Sequence, residues 1–240
     1  MTDSISQMSA SVDALEKEFD IIAHNMANVS TVGFKRRCNS FTKALATQEG
    51  GPPGSNETVP GALDFSQGNL VKTDRTLDIA LHGKGFFVIE SPDGPLYTRH
   101  GIFATNENGQ IVDTAGRLVG GVNGPLLVPP DVDVSQIRVD RTGRVTAGQA
   151  TLGQFRLVDF GDQENQLQAV GLNCFAAPKD VPPQDATEVT VQQGFEEASN
   201  VRLVDELVNM IMVSRLYEAN MKLMTANKDN SSSAINVAMG

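Results

Sequence analysis

ISQMSASVDALEKEFDIIAHNMANVSTVGF, Ile5 to Phe34, opens the chain with a regular repeat that ends abruptly. Ile5, Met8, Val12, Leu15, Phe19, Ile22, Met26 and Val29 recur at alternating steps of three and four, so an α-helix gathers them into one narrow seam. Such a seam suits a partner helix better than the broader stripe with which a helix lies on a globular core. Ser4 and Gln7 have the spacing of a capping box at its start. Ser30, Thr31 and Gly33 then break the pattern, and the basic triplet Lys35, Arg36 and Arg37 follows. A short run of this kind reads as a solvated face, or as support for the negative end of the helix dipole.

The far end of the chain mirrors this beginning. Leu203, Leu207, Met210, Ser214, Tyr217, Met221 and Met224 repeat in the same way, with Val204 and Ile211 widening the stripe. Asn200 is the expected N-cap, and Asp205 and Glu206 place negative charge at the positive end of the dipole. Beyond Met224 only Ile235 and Ala238 stay in register, so the helical signal thins.

Between the ends, QEGGPPGSNETVPGA, Gln48 to Ala62, is too rich in Gly and Pro for a helix or a central strand and reads as an exposed linker. From Leu63 onward short β-type runs alternate with turns: LDIAL, FFVIE, the PDG turn, LYTR, the NENG turn, QIVD, IRVD, RTGR, VTAG and FRLVDF. Such spacing predicts an all-β body. The expected division is a helix and bend over 1–35, a linker over 36–62, a β domain over 63–195 and a second helix over 196–240. The fold class is α+β: a mainly β centre, with terminal helices that form a coiled-coil-like layer on assembly. NGQIVD and TGRVTA share a glycine followed by alternating apolar residues, an echo that any hairpin can show.

A chain of 240 residues has enough material for a sizeable core. Its 19 Lys and Arg against 29 Asp and Glu give a net charge of −10, which repels nucleic acid and anionic membranes. Asp3, Asp13, Glu16 and Glu18 take the place of the basic start of a secretory signal, and no run approaches a membrane span. Cys38 and Cys174 have neither metal-ligand spacing nor companions, so they read as two thiols, with a single long-range bridge as the alternative.

No catalytic constellation emerges. His24, His82 and His100 have no carboxylate or second histidine at ligand spacing, and no GxSxG frames a serine. HGKGFF, His82 to Phe87, lacks the Ser or Thr and the helix that a phosphate loop needs. It reads as a tight turn leading into a strand, with one of Phe86 and Phe87 facing the core. No catalytic, cofactor-binding or metal-binding residue is expected. The N-terminal helix, for its part, cannot offset by its own burial the entropy of ordering it. Its seam is therefore completed either by other molecules or by an antiparallel pairing with the second helix, and the pattern leaves both open.

Three blocks resemble the rod and hook proteins of the bacterial flagellar basal body. DIIAHNMANVSTVGFKR carries the likeness through Asn25, Ala27, Asn28, Thr31, Gly33, Phe34 and Lys35. LDFSQGNLVKTDRTLDIALHGKGFFVI with YTRHGIF carries it through Gly68, Thr73, Leu77, Asp78, Gly83, Gly85, Phe86, Phe87, Tyr97, Thr98, Arg99, Gly101 and Phe103. EEASNVRLVDELVNMIMVSRLYEANMK carries it through Ser199, Asn200, Val201, Glu206, Met210, Ile211, Arg215, Tyr217, Glu218 and Asn220. The resemblance implies a non-enzymatic subunit of the periplasmic rod, exported by the flagellar type III apparatus without a cleaved signal. It implies partners among copies of itself, other rod proteins and the rings around the rod, with no cofactor, no nucleic acid and no membrane insertion. Its assembly interface would be Ile5, Met8, Val12, Leu15, Phe19, Ile22, Met26 and Val29 with Leu203, Leu207, Met210, Ile211, Tyr217, Met221 and Met224. GPLLVPPDVDVSQIRVDRTGRVTAG and LGQFRLVDFGDQENQLQAVGLNCFA are similar to the compact pattern of proximal rod proteins of the FlgF type. Distal rod proteins of the FlgG type are the second reading, and a wall-binding or peptidoglycan-acting β protein the third. His24, Ser214, Cys38 and Cys174 depart from the family's usual residues.

Overall fold

The computed structural model describes residues 2–38 and 62–239, with side chains described over 10–38 and 62–226. The linker expected over 36–62 lies outside the described residues except for 36–38 and 62. The chain forms two compact units. A helical unit holds the chain through Ala27, the short strand β1 (Arg37–Cys38) and everything from Arg202 onward. A β unit holds Asn28–Arg36 and Leu63–Val201.

In the helical unit, α1 (Thr2–Ala27) is already helical before Ser4, so Ser4 and Gln7 do not stand at its start. The second helix, α2 (Leu203–Met239), continues well past Met224, so the thinning apolar pattern does not end it. Phe19 and Tyr217 meet edge to face at 6.4 Å, while Asn25 reaches Glu206. Later residues of α1 thus meet earlier residues of α2, and the two helices run antiparallel. Leu15, Ile22 and Val213 are buried between them, flanked by Phe19, Met26, Met210 and Tyr217. Within this chain the seam from Leu15 to Met26 packs against α2.

The β unit is built on a six-stranded antiparallel sheet. Its order is β13 (Gln168–Gly171), β14 (Cys174–Ala176), β6 (Leu96–Thr98), β5 (Phe86–Ile89), β12 (Leu157–Asp159) and β15 (Gln184–Asp185). A three-stranded sheet of β9 (Ile137–Val139), β10 (Arg144–Ala147) and β11 (Ala150–Gln154) accompanies it. Two ladders complete the frame. The strand β4 (Ile79–His82) pairs with β16 (Thr190–Gln193), and β3 (Leu70–Lys72) pairs with β17 (Phe195–Glu197).

Both faces of β5 are covered, which explains why FFVI is a continuous apolar run without alternation. Phe87 and Ile89 enter a cluster with Phe103, Phe155, Ile137 and Val145, while Phe86 and Val88 enter a second one with Tyr97, Phe160 and Phe175. The expectation that one of the two phenylalanines faces the core is therefore corrected: each faces a core of its own.

The faint echo between NGQIVD and TGRVTA turns out to have a physical basis, and a third copy. At Asn106, Asp113 and Asp140 a side-chain Oδ1 accepts the backbone N–H two and four residues on. Each time, the glycine three residues on has positive φ (Gly109 74°, Gly116 78°, Gly143 82°) and donates its N–H back to the first residue's carbonyl. The chain thus reuses one turn, a type I turn closed by a left-handed glycine.

Candidate functional site

Chemistry-bearing side chains converge in the β unit where the N-terminal bend meets the strand leading to α2. Gly33 has φ +68° and donates its N–H to the Glu197 carbonyl at 2.7 Å. A Cβ there would lie 2.6 Å from the His100 backbone nitrogen, so only glycine fits. Two residues on, Lys35 Nζ meets Glu197 Oε1 at 2.7 Å and donates to the Ser66 carbonyl at 2.8 Å. Arg99 Nε stands 3.6 Å from Glu197 Oε2, and its Nη2 donates to the Gly83 carbonyl at 2.6 Å. The Gly68 N–H also donates to Glu197 Oε1, at 3.0 Å.

All three charged side chains are buried, with 1% of Lys35, 4% of Arg99 and none of Glu197 exposed. Burial pulls the pKa of both cations below their ordinary values, while Glu197 pulls each back up. Burial thus works against both charges and the Glu197 carboxylate works for them, so loss of that carboxylate would leave two buried cations without their counter-charge. Lys35 is no solvated basic face. Sequence reasoning reached Lys35 and Arg99 through the family likeness but passed over Glu197, whose neighbour Glu196 in the same strand looks the same in sequence and is only half-buried.

Asn200 closes the same junction. Its Oδ1 accepts the Arg36 N–H at 2.7 Å, and its Nδ2 donates to the Asp64 carbonyl at 2.8 Å and the Ser66 carbonyl at 3.1 Å. Asn200 is therefore not the N-cap of α2, which starts three residues later; the backbone of the bend recruits its amide instead. Ser199 Oγ accepts the Val201 N–H at 3.2 Å. Thr31 bonds back to Asn28 through both backbone and hydroxyl, shaping the bend. Phe34 and Val201 are buried beside it.

In the helical unit Asn25 plays a comparable part. Its Oδ1 accepts the Arg37 N–H at 2.8 Å, and its Nδ2 donates to the Arg37 carbonyl at 2.9 Å and to Glu206 Oε1 at 3.4 Å. Asn25 and Glu206 are both fully buried, so a polar pair occupies one layer of the helix contact. A polar layer of this kind favours one register over its neighbours.

The face of α2 that meets α1 consists of Glu206, Met210, Val213 and Tyr217. Leu203, Leu207, Ile211 and Met221, placed on the assembly seam from sequence, are exposed on this helix, as are Val204, Val208, Met212 and Leu216. Met210, Tyr217 and Met224 are half-buried, as are Val12, Phe19 and Met26 on α1, whereas Leu15 and Ile22 are buried. Ile5 and Met8 have side chains outside the described residues. Val29 lies half-buried in the β unit. Gly85, Phe86, Phe87, Tyr97, Thr98, Arg99, Gly101 and Phe103 are buried in the β unit, and Glu218 is exposed on α2.

His24 and His100 both titrate below the ordinary imidazole value through burial; Arg37 adds to the shift at His24, while Asp113 and Asp78 oppose it at His100. Both cysteines are thiols. Among the described residues no group of three or more His, Cys, Asp or Glu is placed to hold a metal, and no helix is long and apolar enough to cross a membrane. The cluster around Glu197 commits most of its donors and acceptors to itself and to nearby backbone, with Glu197 Oε2 and Arg99 Nη1 buried without a hydrogen bond, and this is the chemistry of a structural joint.

The sequence of the chain is similar to those of known proteins. A family model described as "Flagellar basal body rod FlgEFG protein C-terminal" matches residues 192–237, and one described as "Flagellar hook protein FlgE/F/G D1 domain" matches residues 80–147. The flagellar basal-body rod protein FlgG of Buchnera aphidicola (subsp. Schizaphis graminum) is 34% identical over 239 residues, covering 88% of this chain and 90% of its own. FlgF of Caulobacter vibrioides is 34% identical over 229 residues, covering 92% and 91%. FlgF of Mesorhizobium japonicum is 30% identical over 236 residues, covering 98% and 97%.

Proposed function

The chain belongs to the flagellar basal-body rod proteins, and from that premise we propose that it is a structural subunit of the proximal rod, joining copies of itself and other rod proteins through the outward face of its terminal helices. The family is a structural one, and the expected role is to build a tube that transmits torque and conducts exported proteins. The observation that carries the assembly role is the apolar face left over once α1 has taken its side of α2. Leu203, Leu207 and Ile211 are 43%, 42% and 55% exposed, and a row of this size on a subunit's surface marks a protein contact.

The proximal assignment is supported by how the alignments run. The match to Mesorhizobium FlgF takes in almost all of both chains over 236 positions. The match to Buchnera FlgG needs 239 positions to take in 88% of this chain, so that relative carries extra residues where this chain has none. The subunit reaches the rod through the type III export apparatus as an unfolded chain, with the surrounding rings as outer neighbours.

Leu207→Asp and Ile211→Asp test the assembly role. Both sites are exposed in the single chain, so its thermal stability should stay within about 0.5 kcal/mol of the parent. Cells making either variant should lack the chain in purified basal bodies and fail to swim. Normal swimming and normal incorporation with both variants would refute the role given to this face.

A further inference from the structure

Two buried cations share one carboxylate at the junction. Lys35 and Arg99 both face Glu197, and Nη1 of Arg99 is buried without a hydrogen bond among the described residues. A buried cation short of counter-charge favours any carboxylate that can reach it. Arg99 also lines a cleft of about 480 Å³, and the acidic side chains on that cleft are Asp64, Asp162 and Glu164.

Of these three, Glu164 is the one placed to answer Arg99. Asp162 is exposed, and Asp64 turns one oxygen back onto the Ser66 N–H at 2.8 Å. Glu164 is half-buried, and its carboxylate makes neither an ion pair nor a hydrogen bond among the described residues. Burial and the neighbouring Asp159 hold this carboxyl above the ordinary carboxylate range, against the pull of Lys84, Arg99 and Lys35. The attraction is mutual, since Glu164 is among the charges that favour the Arg99 cation.

The backbone that carries Glu164 is built to move. It is a short 3-10 turn, Gly161–Gln166, in which no residue is buried and which no side chain caps. Phe160 before it and Leu167 after it are buried and fix its ends. Gly161 at its entry has φ 56°, a left-handed conformation that glycine adopts without strain. A segment with anchored ends and no packed side chain between them shifts without opening the core. We propose that Gly161–Gln166 is a strap that closes over the cleft and carries the Glu164 carboxylate to Nη1 of Arg99, and that ionisation of Glu164 governs the closure. Closed, the strap sets two carboxylates against the two buried cations and ties itself to the bend through Arg99, Glu197 and Lys35. Lys84 also favours closure, while Asp159, Asp64 and Asp162 oppose it. Closure is complete above the pKa of Glu164 and is lost as pH falls through it. This device lies within the β unit and does not depend on the rod-subunit reading.

NMR of the full-length chain, with glutamate labelled at its carboxyl carbon, reads the titration of Glu164 directly. Bound to Arg99, Glu164 should titrate below the ordinary glutamate value of 4.5; left in an open cleft, it titrates above that value. The depression should persist in Lys84→Gln, because the exposed Lys84 is not the partner. A pKa above 4.5 in the parent, or one that rises above 4.5 once Lys84 is replaced, overturns the proposal. A second arm reads Arg99 itself. Glu164→Ala, at a half-buried site outside the core, should let the Arg99 guanidinium hydrogens exchange with solvent about tenfold faster at neutral pH, the effect of losing one charge-assisted hydrogen bond. Exchange at the parent's rate also overturns it.

Discussion

Replacing Glu197 by Gln keeps the side chain's shape and its acceptor for Lys35 and Gly68 but removes the carboxylate in contact with both Lys35 and Arg99. Exposed ion pairs are worth less than about 1 kcal/mol, but here the side chains are 0–4% exposed and two like charges are left facing each other. Removing one partner from a buried pair costs about 3–5 kcal/mol. For a chain of this size that corresponds to a fall in melting temperature of about 6–20 °C. The chain has two tyrosines and no tryptophan, and Tyr97 is buried in the β unit against Phe160. Urea titration followed by tyrosine fluorescence in a Tyr217→Phe background therefore reports on this unit. A double-mutant cycle with Lys35→Met separates geometry from charge. Taking away the stranded ammonium should recover part of the loss, giving a coupling of at least about 1.5 kcal/mol. A loss below about 1 kcal/mol, or additivity within about 0.5 kcal/mol, would refute the idea that one carboxylate holds both cations at the junction.

Three further outcomes follow from the same geometry. Asn25→Ala removes three hydrogen bonds to Arg37 and Glu206 from a buried site, and should destabilise the helical unit by about 2–4 kcal/mol in a urea titration read by helical circular dichroism. Leu15→Asp or Phe19→Asp should abolish incorporation into rods while the β unit keeps its cooperative unfolding, because a charge would enter the α1–α2 contact without a partner. Stability should fall on acidification below the ordinary histidine value of 6.5, since folded His100 is held lower by burial and the unfolded chain binds more protons in that window. His100→Asn should flatten this slope between about pH 7 and about pH 5, and an unchanged slope would show that His100 does not contribute.

Periodicity alone determined that two helices bracket a β body, because apolar positions at steps of three and four, or in short runs between turn residues, admit few other backbones. Local chemistry also fixed the glycines at the bend and before β5, where only left-handed dihedrals let the chain turn. What periodicity could not decide was which face of α2 would be taken. The stripe of Leu203, Leu207 and Ile211 is the more apolar, yet α1 occupies the face bearing Glu206, because Asn25 stands opposite it and the two are buried together. The burial of Lys35 was equally hidden, since its partners Ser66 and Glu197 lie far along the chain and only the meeting of the bend with β3 and β17 brings them within reach. Short-range pattern selects the elements, while long-range pairing decides which polar groups are matched inside and which apolar side chains remain on the surface for another molecule to cover.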